Sequence, residues 1–197
     1  FVSSSLTSGT MATTIFFLAL LIVSVIFLIT TISIAVMMLA ALFITEVPFL
    51  PVPKAVVDAS LSLFKFSDAR PIFYDLGSGD GRVVLAFAEE HASAVAIGYE
   101  IGPFPYLISK LKRWRLRTRN AHFLFRNFFN DDLSDATHIF IYLFPNTVEK
   151  LHEKFLKELK PGTQVISCDF PFKTKEPILK HKLGNGLSKH TLYIYEF

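Results

Sequence analysis

Asp75-Leu76-Gly77-Ser78-Gly79-Asp80-Gly81-Arg82 is the stretch that decides the fold of this chain. It follows a short apolar run, Pro71-Ile72-Phe73-Tyr74, and precedes a helix-like run from Val83 to Glu90. A strand, a glycine-rich turn and a helix start together make the arrangement that a nucleotide-like cofactor needs. Glycines let the backbone come close to a ligand because no Cβ intervenes. The helix N-terminus adds free N–H groups and a partial positive charge.

The identity of the ligand follows from the charges around that turn. A dinucleotide fingerprint needs a third glycine where this chain has Arg82. The pattern here is D-x-G-x-G-x-G, with Asp75 at the strand end and Asp80 inside the loop. Two acids oppose a pyrophosphate and suit a cation that carries an amine and a sulfonium. The octapeptide resembles motif I of the class I methyltransferases, whose cofactor is S-adenosylmethionine (SAM).

Elsewhere the charge is distributed unevenly. The 197 residues suit one domain plus an appendage, and the mean hydropathy of +0.43 is high for a soluble enzyme. No charged residue precedes Glu46, and residues 12–45 are almost wholly apolar. A helix of that length is roughly 50 Å long, against a bilayer core of about 30 Å. A signal peptide needs a basic lead and a shorter apolar core. A buried helix with no polar face does not suit so small a domain. Two short re-entrant helices broken near Thr30-Thr31 are the remaining alternative, and one transmembrane helix is the expectation. Residues 1–11 are expected to be a disordered lead, with Met11 the candidate native start. All twenty Lys and Arg follow the apolar segment, which puts the C-terminal domain on the cytoplasmic side of the membrane. The single cysteine, Cys168, excludes an intramolecular disulfide and a cysteine-rich zinc site, and no metal is expected.

Three prolines, Pro48, Pro51 and Pro53, forbid helix continuation and mark a stiff linker over 46–53. The domain is then 54–197. It opens with a helix over 54–66, whose apolar residues are spaced by three and four. Strands are expected at 71–75, 94–100, 121–125, 137–144 and 163–169. The intervening helices are 81–90, 103–116 and 146–159, the last capped by Asn146 and stopped by Pro161-Gly162. Such alternation implies an α/β fold with a parallel sheet. Segments 178–183 and 191–196, joined by Gly184-Asn185-Gly186, read as a final antiparallel hairpin. No helix fits between the fifth and sixth strands.

The candidate cofactor residues are Asp75, Gly77, Ser78, Gly79, Asp80, Gly81, Glu100, Ile101, Asn127 and Phe128. Either Asp75 or Asp80 contacts the methionine amine. Glu100 ends the second strand, where an acid bonds ribose hydroxyls in doubly wound folds, and Ile101 packs on the adenine. Asn127 reads the adenine amine through its side-chain carbonyl, with Asp131 and Asp132 as alternatives. Leu143-Phe144-Pro145-Asn146 departs from the Asn/Asp-Pro-Pro-aromatic run of base and amide methylating enzymes, and Phe144 and Pro145 would wall a substrate channel. In the basic run from Lys110 to Arg119, Leu107, Leu111 and Trp114 make one apolar helix face and the cations solvate the rest. Contact with anionic lipid is the second reading of that run and nucleic acid the third.

The wider match covers V-P-x-x-x-V-P from Val47, Y-D-L-G-S-G-D-G-R-V-V from Tyr74, N-F-F from Asn127, D-L-S from Asp132 and Y-L-F-P from Tyr142. L-K-E-L-K-P-G-T-Q-V-I-S-C-D-F-P-F follows from Leu156. These stretches resemble the membrane-anchored protein-lysine methyltransferases that include the ATP synthase c-subunit and adenine nucleotide translocase enzymes. That resemblance implies a Rossmann-like class I methyltransferase sheet, SAM bound by Asp75, Gly77, Gly79 and Glu100, and a lysine of a membrane protein as substrate; the departure at 143–146 is the reason that no nucleic acid partner is expected. One departure is Phe129, where those relatives often have Trp. The sulfonium already activates its methyl, so no essential general base is expected. A small-molecule or lipid methyltransferase, or a non-catalytic SAM-binding module, is the alternative.

Overall fold

In the computed structural model, residues 3–44, 50–66, 70–185 and 189–197 are described, and the chain divides into two units, 1–44 and 45–197. The first is a single helix, α1, Ser3–Ile44. It starts inside the segment expected to be a disordered lead, because nothing from Ser3 onward carries the charge or proline that would stop an apolar helix. Thr30 and Thr31 do not break it. Their hydroxyls donate to the carbonyls of Phe27 and Leu28, each at 2.8 Å, so both polar side chains are satisfied within the helix. The stretch Thr13–Leu39 has a mean hydropathy of 3.0, long and apolar enough to cross a bilayer.

The first half of the expected linker over 46–53 lies outside the described residues. Its end belongs to the second unit: Val52 is buried, and its carbonyl accepts a hydrogen bond from Arg82 Nη1 at 2.7 Å. Helix α2, Lys54–Leu63, follows. It ends three residues before Phe66, because Phe64 turns extended and packs edge-on against Phe73 at 5.8 Å.

The strands are β1 (Ile72–Leu76), β2 (Val95–Glu100), β3 (Ala121–Phe125), β4 (His138–Ile141), β5 (Gln164–Cys168), β6 (Leu179–Leu183) and β7 (His190–Glu196). They form one sheet in the order β3-β2-β1-β4-β5-β7-β6. β1 to β5 are mutually parallel, and β7 runs antiparallel to both β5 and β6. Helices α3 (Arg82–Glu90), α4 (Pro103–Leu116) and α5 (Pro145–Glu158) are the crossovers. Residues 169–178 hold no helix, as expected, and the tip of the final hairpin (186–188) lies outside the described residues. In β4, His138 and Phe140 point to one face and Ile139 and Ile141 to the other. Phe140 joins Phe73, Val84 and Phe87 in one core, while Ile139 and Ile141 join Leu76, Leu151, Phe155 and Tyr195 in the second.

Two boundaries differ from expectation near the site. β4 stops at Ile141, short of Phe144, and α5 begins at Pro145 with Phe144 rather than Asn146 at the cap. Proline at the first helical position has no N–H to lose and a backbone angle already set for a helix. The strand order reverses between β1 and β4. There the chain leaves β1 for α3 on one face of the sheet and β4 for α5 on the other, and open α/β sheets bind ligands at the carboxyl ends of strands at such a point.

Candidate functional site

The loop from Gly77 to Gly81 lies at this reversal point, between β1 and α3. The Gly77 and Ser78 N–H groups both donate to the Tyr99 carbonyl, at 2.9 and 2.8 Å, which ties the loop to the end of β2. Gly81 caps α3 with φ at +77°, and a Cβ there would lie 2.5 Å from the Phe123 ring and 2.8 Å from Ser109 Cβ. Gly98, in the middle of β2, was not foreseen as a site residue: a Cβ on it would lie 2.6 Å from Ser78 Oγ. That oxygen is buried and has no hydrogen-bond partner within the protein. The only signal of this close approach in the sequence is the glycine itself, inside an otherwise bulky strand.

Three acids converge here, and the structure separates their roles. Asp80 is held by Arg82 through Nε (2.9 Å) and Nη2 (2.8 Å), and by Lys112 Nζ from α4. Burial pushes its carboxyl up, but the bonds and charges of Arg82 and Lys112 outweigh this and hold it at about 2. Glu100 accepts the Gly79 N–H on Oε2 at 2.8 Å and the Gly102 N–H on Oε1 at 2.6 Å. Its carboxylate therefore joins the glycine loop to the start of α4. Asp75 is 2% exposed, and the charges that act on it belong to Glu100 and Asp80. Burial first, and these two acids second, push its carboxyl well above the usual range. Asp80 already has its cations, so Asp75 is the acid whose charged form a bound cation would stabilise.

The adenine-side residues are arranged less simply. Ile101 is exposed at the mouth of the β2–α4 loop. Asn127 Oδ1 accepts the Phe129 N–H at 3.0 Å and caps a 3-10 turn, Phe128–Asn130, that the sequence reading lacked. The carbonyl expected to meet an adenine amine is therefore already one hydrogen bond committed. Phe128 is buried in the second core with Tyr74 and Tyr99. Of the two alternatives, Asp132 is taken by Ser134, and Asp131 lies 3.5 Å from Arg126.

Beyond β4, Phe144 and Pro145 are both exposed, as channel walls would be, and Phe170 stands 6.3 Å from Phe144, ring to ring. A group the sequence reading missed lies beside them. Asp169, with φ at +65°, accepts the Thr191 N–H at 2.9 Å and bonds His190 Nδ1 at 2.8 Å. Cys168, Asp169 and His190 place ligand atoms within 4.8 Å of one another, a set of donors able to hold a metal ion. Antiparallel pairing of β7 on β5 brings His190 there from 21 residues away, so no local motif announced it.

A seven-stranded sheet of this order, with an acid-flanked glycine loop at its reversal point, defines a class I methyltransferase that uses SAM. The chain belongs to the ANTKMT methyltransferase domain family, which matches residues 75–179. It is 35% identical over 155 residues to a protein-lysine N-methyltransferase of Saccharolobus islandicus (strain REY15A), covering 78% of this chain and 95% of the relative. It is 31% identical over 149 residues to the mouse adenine nucleotide translocase lysine N-methyltransferase, covering 75% of this chain but 63% of that enzyme. Among solved structures, an RNA methyltransferase from Salinibacter ruber in complex with S-adenosyl-L-homocysteine superposes with a TM-score of 0.67 and 33% identity, over 75% of this chain and 93% of that one. A precorrin-6y C5,15-methyltransferase from Geobacter metallireducens GS-15 shares the fold, with a TM-score of 0.59 at 15% identity.

The loop fits SAM on its own evidence. Glycines with positive φ at 77, 79 and 81, which let the backbone approach a ligand, and a buried carboxylate lacking a cation are what that group's bulk and positive charge call for.

Proposed function

We propose that this chain is a membrane-anchored protein-lysine N-methyltransferase whose domain lies on the cytoplasmic side of a bilayer spanned by α1. The observation that carries the lysine reading is the 35% identity to the S. islandicus enzyme across 95% of its length. The exposed apolar length of Thr13–Leu39 supports the anchor, and the Lys and Arg that follow it support the orientation. The names of the translocase and c-subunit relatives favour a membrane protein as substrate.

SAM brings an electrophilic methyl on its sulfonium; the chain supplies binding and alignment. Asp75 holds the methionine amine. Glu100, with lone pairs left on both oxygens, takes the ribose hydroxyls, and Ile101 lies against the adenine. Asn127 retains one lone pair for the adenine amine, while Phe128 supports that end from the core. Gly77, Ser78, Gly79 and Gly81 let the backbone close on the ligand, and Asp80 fixes the loop through Arg82 and Lys112. Phe144 and Pro145 form the wall past which a lysine side chain reaches the methyl.

Alignment of amine and methyl supplies up to about 7–11 kcal/mol. The lysine must also arrive neutral, which costs roughly 4–5 kcal/mol at pH 7 from an ordinary pKa of about 10.4. The apolar wall lowers that cost by disfavouring the ammonium. No general base is required in this scheme.

The test is transfer of label from methyl-tritiated SAM by the full chain to its native membranes. Label in acid-stable protein, resolved by mass spectrometry to methylated lysine, is expected. The Salinibacter description favours RNA as the second reading. Label confined to RNA or to lipid extracts would overturn the lysine assignment.

A further inference from the structure

Helix α4 is amphipathic in the wrong direction for a helix of the core. Phe104, Leu107, Leu111 and Trp114 recur at intervals of three and four, which puts them on one face. That face points to solvent: the four residues are 45%, 55%, 61% and 77% exposed. The opposite side holds the helix to the domain. Ser109 is fully buried there and lies so close to Gly81 that a Cβ on the glycine would sit 2.8 Å from its own. A small residue is required on the inner side, so the large apolar residues are left on the outer one. Cations flank the stripe: Lys110 on one side and Arg115 on the other, with Arg117 and Arg119 past the C-terminus. Lys110, Arg113, Trp114, Arg115, Arg117 and Arg119 line a shallow depression of about 710 Å³.

We infer that this face of α4 is an interfacial helix that seats the methyltransferase domain on an anionic bilayer surface. Leucine and phenylalanine enter the acyl boundary, the tryptophan sits at headgroup level, and the flanking cations meet lipid phosphates. Charge complementarity selects this occupant. A second copy placed face to face would bring cations against cations. An RNA would leave the Leu107–Leu111 stripe unused, since aliphatic side chains offer bases no ring to stack on. The chain's own order agrees: only residues 45–53 separate α1 from α2 in the sequence. The inference deepens the membrane reading above and rests on it for the source of the bilayer. Function follows from geometry. α4 follows directly on Gly102, whose N–H is held by Glu100, so seating α4 also orients the SAM loop relative to the membrane plane.

Trp114 is the only tryptophan of the chain, so its fluorescence reports on α4 alone. The full chain is reconstituted in vesicles of phosphatidylcholine, with or without phosphatidylglycerol, and with brominated acyl chains as quencher. The expected result is a blue shift and loss of emission with anionic vesicles, both reversed by high salt and by Lys110→Glu with Arg115→Glu. Leu107→Ser with Leu111→Ser should abolish the quenching with an unchanged far-ultraviolet dichroism spectrum. A chain that stays in both vesicle types through a carbonate wash with water-like, unquenched emission overturns the α4 inference and leaves the anchor standing. A chain that washes off yet is quenched by anionic vesicles overturns the anchor and upholds α4. Emission that responds to added RNA and not to lipid overturns the inference in favour of a nucleic-acid surface.

Discussion

Asp75 and Asp80 are indistinguishable as letters in a motif, and the structure gives them opposite electrostatic fates. Asp80 is saturated with cations and Asp75 has only acids as charged neighbours. Arg82 comes first among these cations and lies within the motif, but Lys112, the second, lies 32 residues downstream and reaches the loop from α4. For Asp75 the folded pKa lies above the unfolded one. Its ionisation therefore costs the unliganded protein stability as pH rises from about 4 toward the raised value. Asp75→Asn should then raise the melting temperature of the unliganded protein at neutral pH. It should weaken SAM binding by on the order of ten- to a hundredfold, the worth of a charge-assisted bond. Calorimetry with SAM checks both, and unchanged affinity would remove Asp75 from the site. In the wild type, SAM affinity should climb with pH through the raised pKa, because the bound cation demands the carboxylate. Asp80 works in the other sense. Its depressed pKa contributes about 1–2 kcal/mol, present above the ordinary carboxylate range and lost as pH falls toward 2. Asp80→Asn should flatten the acid limb of a stability–pH curve. Gly98→Ala should cost about 1–3 kcal/mol by pressing a methyl on Ser78, read as a shift of the denaturant midpoint.

At the scale of elements, what could be read from sequence was what periodicity and turn chemistry write locally. α4 and β3 appear with the bounds expected of them, because Pro103 opens the helix and β3 is a short apolar run. The elements that shifted were set by distant partners. Phe64 ends α2 because Phe73 and His138 receive its ring. The 3-10 turn at Phe128 is three residues long, capped by the Asn127 side chain, too short a signal to stand out. The Cys168–Asp169–His190 group needs the β5–β7 pairing to exist at all. Two predictions belong here. Asn127→Ala should cost about 1 kcal/mol if its carbonyl only caps the turn. A parallel rise in the Kd for SAM would mean that it also reads the adenine. Methyl transfer should survive exhaustive chelation, since the sulfonium needs no Lewis acid. A chelator-sensitive rate, restored by zinc, would give the Cys168 group a metal and a role.

The whole molecule joins one long apolar helix to a sheet whose reversal point carries the cofactor loop. That architecture was legible because its two signatures are global. Apolar length marks the helix, and strand–helix alternation ending in a hairpin marks the sheet. The insertion of β7 between β5 and β6 is written in no residue pattern, because it depends on pairing between strands far apart in the chain. If α1 anchors the domain, the full chain should resist carbonate extraction from membranes, and protease added from the cytoplasmic side should cut the domain away. Truncation to residues 45–197 should retain SAM binding while methylation of a membrane-embedded substrate falls.

Cys168, the only cysteine, is fully buried, and burial pushes its thiol far from ionisation, with the neighbouring Asp169 adding to the effect. Cys168 in the folded chain should therefore be silent to maleimides. A cysteine introduced at any exposed position becomes its one addressable handle, so spin labels or fluorophores can be installed singly along α1 or α4 without first removing a native thiol.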